Sequence, residues 1–139
     1  MANSSTEPIY VDDLDSMLSY TGVWFTSTSS YNFQNSSHGT NTAGSSVRFE
    51  FKGSQISVYG SVDPSSQSAC IRPPISTYVL DNMPMATFFA PTTESQLNNS
   101  LFYESPALVD GHHTLVITSA SQNSLFWFDY IKYTPSGMC

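Results

Sequence analysis

Leu125-Phe126-Trp127-Phe128-Asp129-Tyr130-Ile131-Lys132-Tyr133 is the most apolar and aromatic run in the chain. Read with a period of two, Leu125, Trp127, Asp129, Ile131 and Tyr133 fall on one face, and Phe126, Phe128, Tyr130 and Lys132 on the other. Both faces are largely apolar, so the stretch predicts a central strand covered on both sides, with Trp127 in the core. A carboxylate stands in its middle. An isolated buried charge is very costly, so Asp129 needs a partner.

Composition sets the surroundings of that strand. The 139 residues are enough for one domain with a real core. Charged residues make up 11% and aromatic residues 14%. The polar surface comes instead from 25 Ser and 13 Thr, a mixture that favours strands over helices. The net charge is −7, and Arg48, Lys52, Arg72 and Lys132 are scattered, which argues against nucleic acid or an anionic membrane as partner. No apolar stretch is long enough to span a bilayer. The polar start, Met1 to Pro8, carries no signal peptide, so the chain reads as cytoplasmic or as an excised mature piece with an added Met. Three N-x-Ser/Thr sequons, at Asn3, Asn35 and Asn98, lean toward secretion. Cys70 and Cys139 leave both one bridge and two free thiols open.

Residues 1–8 read as a disordered leader and 135–139 as a C-terminal tail, with a β-sandwich domain over 9–134. Ile9 to Val11 begins a short strand. Residues 13–19 suggest one helical turn capped by Asp13, with Met17, Leu18 and Tyr20 packed beneath. Gly22 to Phe25 reads as a strand and 26–46 as one long polar loop. Val47, Phe49 and Phe51 alternate with Arg48, Glu50 and Lys52. Lys52-Gly53-Ser54 reads as a turn, and Ile56, Val58, Gly60 and Val62 alternate again, so 47–62 predicts a hairpin. Further strands follow at 76–80, 86–90, 101–105 and 113–118. Eight to ten short strands with little helix predict an all-β sandwich or barrel.

The order of motifs then becomes familiar: Val11-Asp12-Asp13, Tyr20-Thr-Gly-Val-Trp24, His38-Gly-Thr40, Val47-Arg-Phe-Glu-Phe-Lys-Gly, Pro73-Pro74-Ile-Ser-Thr-Tyr78, Asp110-Gly111-His112-His113 and Phe128-Asp129-Tyr130-Ile131. Over roughly residues 9–134 this resembles an extracellular domain of mushroom-forming (basidiomycete) fungi, usually placed ahead of a Ser/Thr-rich stalk and a membrane span. More distantly it is similar to galactose-binding-like jelly rolls, the fold of many carbohydrate-binding modules. The resemblance implies an antiparallel jelly-roll sandwich and an extracellular or cell-surface setting.

Modules of that class often hold a structural calcium between carboxylates near the first strand and an Asp on the last. By that resemblance Asp12, Asp13 and Asp129 are the metal candidates. Calcium takes six to eight oxygens at roughly 2.3–2.6 Å, which such a cluster can supply. The alternative is that Asp12 or Asp13 caps the helical turn and Asp129 accepts hydrogen bonds from amides or a tyrosine hydroxyl. The protein then needs no cofactor.

Sugars are held by an aromatic ring stacked on the C–H face of a pyranose and by a few polar groups that fix the hydroxyls. Trp24, Tyr31, His38, Tyr59, Arg72 and Tyr78 are the candidates, presented by loops at one end of the sandwich. Each also has a packing role open to it. His112 and His113 are adjacent on a strand and point to opposite faces, so they do not chelate one ion. No Gly-x-Ser-x-Gly elbow or Cys–His context supports nucleophilic catalysis. The expectation is a non-catalytic, lectin-like module that recognises a cell-surface glycan, with homodimerisation supplying avidity. The alternative is a structural or sensory ectodomain that binds a protein partner and has no sugar site.

Overall fold

The computed structural model describes residues 7–29, 32–65 and 72–136. Tyr31, Cys70 and Cys139 lie outside the described residues, as do most of the expected leader and tail. Among the described residues ten strands follow one another: β1 (Ile9–Asp12), β2 (Leu18–Thr21), β3 (Phe25–Thr28), β4 (Ser36–Thr40), β5 (Ser46–Val62), β6 (Ile75–Leu80), β7 (Met83–Phe89), β8 (Leu97–Glu104), β9 (Gly111–Ser119) and β10 (Phe126–Pro135). One 3-10 turn, Phe33–Asn35, is the helical content of the described residues. None of their helices is long and apolar enough to cross a membrane. Every strand pair is antiparallel, in the order β3-β4-β10-β5-β9-β6-β7, with β1 added to β10 and with β2 and β8 added to β5.

The 17-residue β5 makes a sandwich from this order. Its first half pairs with β2 and β9, its second half with β8 and β10. The turn expected at Lys52-Gly53-Ser54 is therefore absent, and the expected hairpin is one strand that passes between layers. Gly53 lies opposite Gly111 on one side and Pro135 on the other, and a Cβ there would collide with the Thr134 carbonyl. Glycine here permits close backbone approach and makes no turn.

Rings meet between the layers: Tyr78 of β6 stacks on Tyr103 of β8 at 5.0 Å, and Phe88 of β7 on Phe102 of β8 at 4.7 Å. Around them Val47, Phe49, Ile56, Val58, Leu115, Ile117, Phe126, Phe128 and Ile131 are buried. Each large apolar side chain so buried contributes about 1.5–3 kcal/mol of transfer free energy.

Two local expectations change. Residues 13–18 form successive turns instead of a helix, with the Asp15 amide donating to the Asp12 carbonyl at 3.0 Å and the Leu18 amide to the Asp15 carbonyl at 3.1 Å. Met17 is exposed, Leu18 is buried and Tyr20 packs on the core. Asp13 thus caps no helix. The stretch 26–46 is not one loop, since it holds most of β3, the 3-10 turn and β4. Ser36, Ser37 and Thr40 are buried there, so the strand shows no apolar alternation to read.

Candidate functional site

In β10, Phe128 pairs with Gly60 and the next pair is Tyr130 with Tyr59. Asp129 is the extra residue of a β-bulge. A bulge re-aims a side chain and shifts the inside–outside phase. Phe126, Phe128 and Ile131 consequently all face the core, which strict alternation does not allow. Along the other edge of β10, β4 ends its pairing with His38 opposite Phe128, and β1 ends with Asp12 opposite Tyr130. Asp129 stands at the seam between those two strands.

Asp12, Asp13 and Asp129 offer carboxylate oxygens that lie within 4.8 Å of one another. Asp13 and Asp129 are fully buried. Asp13 is well partnered: its Oδ1 accepts from Ser36 Oγ at 2.6 Å, its Oδ2 lies 2.7 Å from His38 Nδ1, and its carbonyl accepts from the Tyr20 hydroxyl at 2.7 Å. Asp129 Oδ2 accepts from the Phe33 amide at 3.0 Å and from Asn32 Nδ2 at 3.3 Å. Asp12 Oδ1 and Asp129 Oδ1 are buried with no partner among the described residues.

That leaves two carboxylates strained electrostatically. Burial pushes Asp12 up to about 6, and the bond and charge of Asp13 add to the rise. Burial also pushes Asp129 up to about 6, against the pull of the Phe33 amide and Asn32. The amide bond fulfils part of the hydrogen-bonded alternative. The two orphaned oxygens are not explained by it. An all-oxygen donor set with unfilled valence fits a hard cation such as calcium.

The sequence-named aromatic residues fall into three places. Trp24 and His38 come together beside the carboxylates: Tyr20 stacks on the His38 ring at 4.0 Å and meets Trp24 edge-on at 5.1 Å. Both are half-buried in packed contact. Tyr59 lies elsewhere, stacked on Tyr130 at 4.8 Å, with Phe33 4.9 Å from Tyr130. Tyr78 is fully buried, its hydroxyl 2.9 Å from Ser76 Oγ. It is a core residue that no glycan touches, and burial holds its hydroxyl well above the usual phenol range. Arg72 is exposed and makes no ion pair among the described residues.

Trp127, expected in the core, is only half-buried. Its ring occupies the space over Gly39, where a Cβ would collide with it. Phe25 meets it edge-on at 5.5 Å. The indole Nε1 donates to Asp63 Oδ2 at 2.8 Å. Next to it Ser61 Oγ donates to Asn98 Oδ1 and accepts from Asn32 Nδ2, both at 3.0 Å. Sequence reasoning misses Asn32, Ser61 and Asp63 and takes Asn98 only as a sequon, because polar loop and strand residues carry no periodic signal.

No protein-family model matches the chain. Over 129 residues it is 30% identical to the A type blood N-acetyl-alpha-D-galactosamine deacetylase of Flavonifractor plautii. The match covers 91% of this chain but 15% of that protein, so the chain spans only a small part of the curated relative's length. In structure it is similar to CBM35 from Cellvibrio japonicus Abf62, with a TM-score of 0.67, 11% identity and 94% of each chain covered. It is also similar to a family two carbohydrate esterase from Cellvibrio japonicus, with a TM-score of 0.62, 14% identity, and 94% of this chain and 36% of the other covered. The fold is thus an all-β jelly-roll sandwich of the kind found in carbohydrate-binding modules. The expectation of a non-catalytic chain, not an enzyme, is corrected by the same findings. A relative is named as a deacetylase and a structural neighbour is a carbohydrate esterase, although the small share of the relative makes the indication weak.

Proposed function

We propose that the chain is a carbohydrate-binding, lectin-like jelly-roll module that recognises a cell-surface glycan in an extracellular setting. The observation that carries this reading is the 30% identity, along 91% of the chain, with a protein named for action on a blood-group sugar. Beside a catalytic unit, the module would hold glycan for chemistry of that kind. The half-buried rings on the two sides of β10 are the type of surface that stacks on pyranose C–H groups. A shallow surface binds weakly per site, and a homodimer or surface display would raise avidity.

Asp12, Asp13 and Asp129 would hold a structural calcium. Bound there, the ion would neutralise the buried carboxylates and tie the start of the chain to its last strand. A glycan array probed with the labelled protein in calcium tests the reading: signal on at least one glycan class supports it, and silence on all of them counts against it.

A second reading is favoured by β7. Met83 is 62% and Phe89 68% exposed on this edge strand. Exposed apolar side chains on a strand whose second edge is unpaired among the described residues suit a protein partner. Binding of protein with no glycan binding would support it.

A further inference from the structure

We infer that the outer face around Trp127, on the layer containing β3, β4, β10, β5 and β8, binds a neutral oligosaccharide, with the indole as stacking platform and Asn98 and Gln96 as hydrogen-bonding groups. This rests on the carbohydrate reading and gives it a place and a substrate class. The place differs from the loop residues Trp24 and His38 that the sequence suggests.

The ring position is built into the sheet. Gly39 of β4 leaves room for Trp127 to lie across the neighbouring strand. Phe25, paired in register with the same Gly39, supports the ring from the side and is itself 37% exposed. The indole N–H is fixed by Asp63 Oδ2, and the other oxygen of Asp63 accepts from Gln96 Nε2 at 2.7 Å. Trp127, Asp63 and Gln96 are therefore one braced unit. Groups held in place before binding lose less freedom when a ligand arrives.

A pyranose presents an apolar C–H face and a rim of hydroxyls, so a ring needs donors and acceptors at its border. The border supplies both. Asn98 Oδ1 is held by Ser61 Oγ, which orients the amide and leaves its Nδ2 hydrogens without a partner among the described residues. Gln96 is held through its nitrogen, which leaves its Oε1 as an acceptor. Ser61 pairs with Trp127 in register, and two residues along β5, past the bulge in β10, the Tyr59–Tyr130 stack continues the ring surface. The footprint therefore extends beyond one sugar unit.

Charge selects the class. Asp63 lies against the Trp127 ring and pairs with no basic side chain among the described residues. A uronate-bearing glycan meets like charge, and like charges across an interface suppress the wrong partner. A neutral chain meets none.

The chain has two tryptophans, so two indole signals in a proton–nitrogen NMR spectrum, assigned with Trp24→Phe, report the two places separately. The probes are cellohexaose, the A-type blood trisaccharide and oligogalacturonate, with calcium present. A neutral probe is expected to shift the Trp127 indole and leave that of Trp24, and oligogalacturonate to leave both. The Gln96→Ala/Asn98→Ala double variant is expected to stay folded, with a melting temperature lowered by loss of the acceptor of the buried Ser61 hydroxyl, and to bind about tenfold more weakly well below that temperature. Binding that moves only the Trp24 indole, or that is undiminished in the double variant, overturns this location and leaves the carbohydrate function standing. A folded wild-type protein silent toward every neutral glycan overturns both.

Discussion

Asp12 and Asp129 come from opposite ends of the chain, lie within 4.8 Å of each other at their carboxylate oxygens, and each keep one buried oxygen without a partner among the described residues. Two carboxylates so placed repel each other, and burial magnifies the cost. A ligand that binds only the folded state stabilises it by about 2.7 kcal/mol at one hundred times its dissociation constant. Calcium is therefore expected to raise the melting midpoint and a chelator to lower it. Asp129→Asn should abolish the response and leave the metal-free protein at least as stable as wild type, because Asn can still accept from the Phe33 amide. Identical melting curves with calcium and with chelator would remove the metal from the account.

A second carboxylate contact responds to pH. His113 Nδ1 lies 2.6 Å from Asp81 Oδ2 and its Nε2 lies 2.7 Å from the Val109 carbonyl. Both neighbours are acceptors, so the ring serves both only as imidazolium. The Asp81 bond, ahead of an opposing burial effect, raises His113 above its ordinary value. Burial alone would raise Asp81, but the His113 bond and the Thr114 amide outweigh it and leave Asp81 below its ordinary value. The histidine's contribution is complete below its unfolded value of 6.5 and is lost as pH rises through its higher folded value. That of Asp81 is complete above 3.8 and is lost as pH falls through its lower folded value. The pair therefore stabilises most between those two pH values. Asp81 is 44% exposed, so the gain is expected to be under about 1 kcal/mol. His113→Gln should lower the melting temperature at pH 5 more than at pH 9; an equal loss at both would contradict the imidazolium bridge.

Gly60 and Gly44 should respond differently to alanine. A Cβ at Gly60 would run into the Trp127 carbonyl and the Phe102 ring, so Gly60→Ala is expected to cost about 1–3 kcal/mol or more. Gly44 has open space but a φ of +92°, so Gly44→Ala is expected to cost about 1 kcal/mol. Denaturant unfolding of the two variants checks the order, and a reversal would count against the close β5–β10 packing.

Tyr78→Phe separates packing from recognition. It leaves Ser76 Oγ without its buried partner, for a cost of about 1–3 kcal/mol. Glycan binding should be unchanged. A binding loss larger than the stability loss explains would return Tyr78 to the recognition surface.

Much of the fold is legible in two-residue alternation. Val47, Phe49 and Phe51 point inward as the pattern demands, and so do Leu115 and Ile117. The pattern misleads where backbone geometry departs from regular pairing. The bulge at Asp129 shifts the phase of β10 and turns Ile131 inward with Phe128, an event that leaves no trace in residue type. Gly53 carries the composition of a turn but sits where β5 crosses between layers. β4 is hidden because hydroxyls take the buried places of aliphatic side chains. The carboxylate cluster is legible through the resemblance to jelly-roll modules, which puts Asp12 and Asp13 beside Asp129; the cost of a buried charge alone asks only that Asp129 have a partner. Trp127 and Asn98 are not, since which face of β10 lies outward depends on the bulge and on Gly39 in another strand.

The most direct test of the central claim is calorimetric titration of the protein in calcium-containing buffer with neutral oligosaccharides that include the A-type blood trisaccharide and cellohexaose. Saturable heat with at least one of them is the predicted result. A folded protein that gives no heat with any of them in that buffer would contradict the claim that this sandwich recognises carbohydrate.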